Sequence, residues 1–369
     1  MPHGPDPDGT APYEPAAERG LAHYAEQALL GALLLDPGLL SQTTSLSPDL
    51  LEHPAHQAVL AAVLRVPAPA NGTPLAGAEW LRAVEAEART RVRGLTTVYL
   101  HQLISACPRT GHVGAYASMV RSEHARRTLR LGAGLLARAA GDATVPDRAR
   151  HVLATADALT RELDGLASRF PPHAGSLPRT QVPPPPVPDN ADEALDEEQL
   201  LLASAIATPA AGEIRWLTPD DFTHPPFGGL WQCVTALIRR GEPVDPLTVL
   251  WEATSRGVPG IVPSDVLALL SDPFGDPHYW GTRVVERALL LRARHTAAQI
   301  TACTDNPATT GHQLITVSRR ALADLTSLRH RWEAAVRPAA ARAGPRHPSP
   351  FTSPTTSPPS TRSPAGRTL

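Results

Sequence analysis

Apolar residues recur at three- and four-residue steps through most of this chain, and neither of its two large blocks sustains an alternation of apolar and polar positions. Leu21, Ala25, Ala28, Leu29, Ala32 and Leu33 define one amphipathic run, ended by Asp36-Pro37. Leu200, Leu201, Ser204 and Ala205 define a second, ended by Pro209. Each run opens a block, over 19–168 and 196–335, and each block closes with two long helical patterns. In the first these cover Val113 to Ala140 and Pro146 to Ala167, split by Gly141-Asp142. In the second they cover Tyr279 to Cys303 and Thr310 to Ala335, split by Asp305-Asn306-Pro307. Short turn-forming links make antiparallel neighbours. The expectation is an all-α protein in which each block is a compact helical head followed by a helical hairpin.

The blocks also correspond to each other. Ala25-Glu26-Gln27-Ala28-Leu29-Leu30 lines up with Glu197-Glu198-Gln199-Leu200-Leu201-Leu202, and His53-Pro54 with His224-Pro225. Thr73-Pro74-Leu75 matches Asp245-Pro246-Leu247, and Leu103-Ile104-Ser105 matches Leu269-Leu270-Ser271. Tyr116 with Glu123 matches Tyr279 with Glu286. The matches keep one order at nearly constant offset, so the chain reads as a tandem duplication. Proline after a polar residue suits a helix start, where its missing N–H has no intrahelical partner. Three remaining stretches read as disordered: 1–18, a Pro-rich linker over 169–195, and a basic Pro/Ser/Thr-rich tail over 336–369. The linker's run from Pro183 to Pro186 is expected to form an extended polyproline spacer.

Composition narrows the chemistry. The chain has 26 Gly, 40 Pro and only 4% aromatic residues, and its formal net charge is -2. That balance gives no reason to expect strong binding to nucleic acid or membrane. All basic residues are arginine. Without lysine, neither a P-loop of the form G-x-x-x-x-G-K-[ST] nor a Schiff-base site can be built from these residues. Cys107, Cys233 and Cys303 are far apart and argue against a disulfide framework or a structural zinc. There is no secretory apolar segment near Met1 and no run long enough to span a bilayer, so a cytoplasmic location is expected.

Individual motifs favour structural readings. His53-Pro54-Ala55-His56 carries two histidines with no acid or Cys at ligand spacing; a helix cap plus a packed surface histidine is preferred over a metal site. Glu26-Gln27 and Glu198-Gln199 recur, which marks them as candidate partner contacts together with Tyr116 and Tyr279. The competing reading makes the glutamates first-turn carboxylates facing their own helix dipole. Glu123 and Glu286 are expected to pair at i,i+3 or i,i+4 with Arg126 and with Arg283 or Arg287. The pairs Arg126-Arg127, Arg239-Arg240 and Arg319-Arg320, with Arg130, read as solvated faces, and Trp80, Trp231 and Trp251 as core. No catalytic, cofactor-binding or metal motif is found.

The order of these features resembles the N-terminal domain of DnaB-type replicative helicases. Ala25 to Asp36 reads AEQALLGALLLD, close to that family's opening segment. Leu217-Thr218-Pro219-Asp220-Asp221-Phe222, Pro54-Ala55-His56, Gly241-Glu242-Pro243-Val244-Asp245, Tyr116-Ala117 and Val120-Arg121 supply the family's later motifs. The resemblance covers nearly all of both blocks, with each copy partial: the second lacks the Leu-Gly step and has Phe227 where the first has His56. It implies a six-helix head and hairpin that form the collar of a hexameric helicase, pair between subunits and recruit primase. The expected function is therefore a non-catalytic replication-associated interaction module that contacts primase or replicative helicase, with hairpins pairing within or between chains. The alternative is a nucleic-acid-binding regulator using the basic tail and the Arg-bearing hairpins; helicase activity is disfavoured by the missing P-loop. No cofactor is expected.

Overall fold

The computed structural model describes residues 20–43, 46–69, 74–171, 180–208 and 212–337. Among these every regular element is helical. The first half contains α1 (Leu21–Leu35), α2 (Pro54–Arg65), α3 (Pro74–Arg89), α4 (Thr97–Ser105), α5 (Val113–Gly141) and α6 (Arg148–Ala167). The second contains α7 (Ala191–Ala207), α8 (Pro225–Arg240), α9 (Pro246–Ser255), α10 (Pro263–Leu270), α11 (Pro277–Asp305) and α12 (Gly311–Val336). The all-α expectation holds. The segments read as disordered at the two ends lie outside the described residues, except for Val336, which ends α12, and Arg337, which follows it.

The local chemistry of the sequence sets the helix ends. Prolines occupy the first turn of α2, α8, α9, α10 and α11. Gly241 ends α8 at φ 68°, a left-handed conformation that favours glycine, and Glu242 N–H closes the end on the Leu237 carbonyl at 3.1 Å. Four residues later the Asp245 carboxylate accepts from the Leu247 and Thr248 N–H groups at 2.8 and 2.9 Å and starts α9. The Gly-x-Pro-Val-Asp stretch is thus a stop and a start in one loop. Upstream, Asp221 accepts from Thr218 N–H and Oγ1 at 2.8 and 2.9 Å, which holds the single turn Pro219–Asp221 and aims Phe222 at Trp231 in the core. Ser47-Pro48-Asp49-Leu50 forms the matching turn before α2, where Leu50 and Leu51 are buried.

Two cores result. The first gathers α1 to α4 and the opening turns of α5, with Leu29, Leu33, Val59, Leu60, Trp80 and Leu103 at its centre. The second is continuous from the head of α7 to α10 into a bundle made of α5, α6, α11 and α12. Gly31 marks the tightest approach in the first. A Cβ built there would lie 2.1 Å from the Leu103 carbonyl oxygen of α4. Gly31→Ala is therefore expected to cost about 1–3 kcal/mol by overpacking, read as a lower midpoint of unfolding in urea. The second half has Ala203 at the equivalent step of α7.

The bundle is antiparallel around its perimeter. Arg126, in the first half of α5, reaches the end of α11, whereas Gly141 at the end of α5 lies beside Arg294. Likewise Arg329 of α12 meets Asp157 of α6 at 2.6 Å, and Arg319 meets Asp164 at 3.0 Å. The two hairpins therefore pair with each other within one chain.

Where it is described, the Pro-rich linker keeps the three-residue repeat expected of a polyproline spacer but is packed on the bundle rather than disordered. Thr180, Pro183 and Pro186 are half-buried at three-residue steps, the repeat of polyproline II, along the groove between α11 and α12. Thr180 Oγ1 accepts from Asn306 Nδ2 at 3.1 Å, and Asp189 chelates Arg294 at 2.8 and 2.6 Å. The acidic patch that follows is not linker: Asn190 caps α7, which starts at Ala191, five residues earlier than the block boundary expected at 196.

Candidate interaction surfaces

Glu26 stands in the second turn of α1 and is buried. Its carboxylate accepts from the Glu52 N–H at 2.5 Å, the His53 N–H at 3.4 Å and His56 Nδ1 at 2.6 Å. It caps the start of α2, so the dipole reading chose the right physics but the wrong helix. Burial pushes this carboxyl up, yet the His56 hydrogen bond and the two backbone N–H groups outweigh it and hold its pKa below the ordinary value of 4.5. His56 is fully buried, which corrects the expected surface histidine; its carboxylate partner comes from another helix, thirty residues away.

Glu198 of α7 does the same for α8 with different hardware. It accepts from Thr223 N–H and Oγ1 at 2.7 and 2.6 Å, from His224 N–H at 3.2 Å, and from His224 Nδ1 at 3.0 Å. Phe227 occupies the place of His56, and the histidine at the helix start takes over its role. The two glutamates are internal braces, with Gln27 and Gln199 half-buried beside them. Tyr116 is buried in the first core, whereas Tyr279 is 57% exposed. The six candidate contact residues do not form one surface.

The register of the hairpins explains that split. Both α5 and α11 have 29 residues, and setting their starts together puts Tyr116 against Trp280 rather than Tyr279. In this register Val113, Ala117, Val120, Ala125, Leu129, Ala133 and Leu136 fall on Pro277, Gly281, Val284, Leu289, Ala293, Ala297 and Ile300, all buried. The sequence pairing was one residue out.

Of the arginines expected to be solvated, Arg239, Arg240, Arg319 and Arg320 are exposed, whereas Arg126 and Arg130 join the hairpins. Arg126 donates to the carbonyls of Thr304, Asn306 and Thr309 at 2.7, 2.8 and 3.0 Å, and so satisfies the open C-terminal end of α11. Arg130 adds the Thr304 carbonyl at 3.1 Å and Asp305 at 2.6 Å. Arg126 also keeps the predicted pair with Glu123, at 3.5 Å. Arg283 and Arg287 turn to Glu197 of α7 rather than to Glu286, with Arg283 Nε 2.8 Å from the carboxylate. Burial lowers the pKa of Arg287. Arg240 is clamped between Glu242 and Glu252, both at 2.9 Å, and the hydrogen bonds from Arg240 and Arg256 hold the Glu252 carboxyl down at about 2.

One of the three tryptophans expected in the core lies at the surface. Trp80 and Trp231 are core, but Trp251 of α9 is 75% exposed and lies one turn from Leu247, which is 65% exposed. With Leu237, Pro243 and Thr248 they line an open hollow of about 430 Å³. Val249, Leu250 and Ala253 take the inward face of this short helix, so its apolar residues lie on both sides. Among the described residues no group of three or more His, Cys, Asp or Glu side chains is placed to hold a metal, and no helix is long and apolar enough to cross a membrane.

The family model of the DnaB-like helicase N-terminal domain matches residues 190–274, from the cap of α7 to the loop after α10. That is the second head, and it is less of the chain than the sequence resemblance covered; α1 to α6 and the second hairpin lie outside the match. This stretch is similar to a replication-associated domain of the helicase-collar type. No curated protein and no solved structure gave a significant match to the chain.

Proposed function

We propose that this protein is a non-catalytic interaction module of the DNA-replication machinery, built from two tandem domains of the helicase-collar type. The observation that carries the reading is the family match over the second head, set beside a first half with the same six-helix order and the same buried glutamate brace. The hairpins that would pair two collar domains are joined here within one chain through Arg126, Arg130, Arg319 and Arg329. The module acts as a single-chain pair whose partner is primase or the replicative helicase itself. Those arginines are committed to internal acceptors, which weighs against a phosphate-binding role for the bundle.

Purified full-length protein is expected to retain primase or replicative helicase in a pull-down at micromolar concentration. Retention of neither would defeat the proposal. ATP hydrolysis is expected to stay at background, since no lysine is available to hold the β/γ-phosphates. Measurable turnover would contradict the non-catalytic part of the reading.

A further inference from the structure

The hollow around Trp251 and Leu247 is apolar and exposed. We propose that the Pro- and Arg-rich segment around Pro345–Pro350 docks on it in the free protein. This inference does not depend on the helicase-type reading.

Three observations point to that segment. The first is the chemistry of the hollow: a tryptophan, a proline and two leucines, with a rim stiffened by the Arg240–Glu242–Glu252–Arg256 network. Aromatic-lined grooves of this kind accept proline-rich segments, whose extended form loses little entropy on binding. The tail offers Pro345-Arg346-His347-Pro348-Ser349-Pro350, a P-x-x-P stretch, and the same chain already lays Thr180–Pro188 on helices α11 and α12.

The second is charge. Residues 190–276 carry fourteen Asp and Glu against four Arg, whereas residues 338–369 carry four Arg and no acid. The first head, over 20–112, holds seven acids and six arginines, so the attraction is directed to the second head.

The third is reach. Arg331, near the end of α12, is held by Thr218 and Asp221, and Pro219 lies against Gly228 in the first turn of α8. The hollow is lined by Leu237, nine residues or about 14 Å further along α8, and Arg337 lies six residues or about 9 Å beyond Arg331 along α12, so the path is at most about 23 Å along the two helix axes. Eight extended residues from Arg337 to Pro345 span about 25 Å. A tether this short gives an effective concentration in the millimolar range, enough for a weak P-x-x-P contact to be largely formed.

The test uses the full chain with a photoreactive benzophenone amino acid replacing Leu247. Irradiated at about 2 µM, far below the millimolar effective concentration of a tether, it should cross-link mainly to residues 338–354 of the same molecule. The yield should not change on tenfold dilution. A tail variant combining P345A, P348A, R342E and R346E should lower that yield about fivefold or more. Cross-links absent from the tail, undiminished in the variant, or formed with a second molecule in a dilution-dependent way would each overturn the proposal. W251A in the unlabelled protein should leave thermal stability unchanged, because the side chain is exposed; a large loss would show that Trp251 is structural and overturn the docking role.

Discussion

Glu26→Ala is expected to destabilise the first head by about 3–5 kcal/mol, because three hydrogen-bonding groups lose their acceptor and each one left unsatisfied in a buried site costs about 1–3 kcal/mol. The substitution strands His56, which is fully buried, and uncovers the Glu52 and His53 N–H groups at the start of α2. Hydrogen exchange in α1 and α2 should accelerate first, with α8 little affected. Glu26→Gln keeps one acceptor and should cost about 1–2 kcal/mol. His56→Phe, which copies the arrangement around Phe227, should cost less than Glu26→Ala, because His53 stands where His224 does in the second head.

The same carboxylate gives a pH signature. Its pKa in the folded protein lies below the ordinary 4.5, so its contribution is complete above that value and is lost as pH falls through the lowered pKa. In Glu26→Gln this part of the acid limb should disappear. Identical acid limbs in parent and variant would contradict the assignment.

Arg126→Met is expected to loosen the hairpins from each other at a cost of about 3 kcal/mol, because charge-assisted hydrogen bonds to three backbone carbonyls are lost at a helix end where the dipole favours a cation. The side chain is only 13% exposed, so water replaces these bonds poorly. Amides at the end of α11 and in the first half of α5 should lose protection together. Arg126→Lys should recover only part of the loss, since a compact ammonium cannot match a planar fork aimed at Thr304, Asn306 and Thr309 at once. Unchanged stability in Arg126→Met would show that the hairpins do not need this contact.

Local signals made most of the helices legible. Proline at helix starts, Gly241 at a helix stop and Asp245 at a cap each act within four residues, and the hairpin ends fell within a few residues of the observed ones. The polar braces were not legible for the opposite reason. Spacing along a helix reveals partners three or four residues away, whereas Glu26 finds His56 across thirty residues and Arg126 finds its carbonyls across about 180. The one-residue error at Tyr279 came from matching residue identity rather than burial. Trp251 misled because a ten-residue helix with apolar residues on two faces gives no single stripe. The acidity of the second head was available from the sequence but hidden by averaging over the chain.

The pairing of the two hairpins within one chain can be tested through the absence of lysine. Arg130→Lys places the only lysine ε-amine next to Asp305, where Arg130 now makes a 2.6 Å bond. A zero-length carbodiimide coupling should then join positions 130 and 305, in an equal mixture of ¹⁴N- and ¹⁵N-labelled protein. The prediction is linked peptides that are wholly light or wholly heavy. Peptides joining a light to a heavy chain, or no link between these positions, would contradict it.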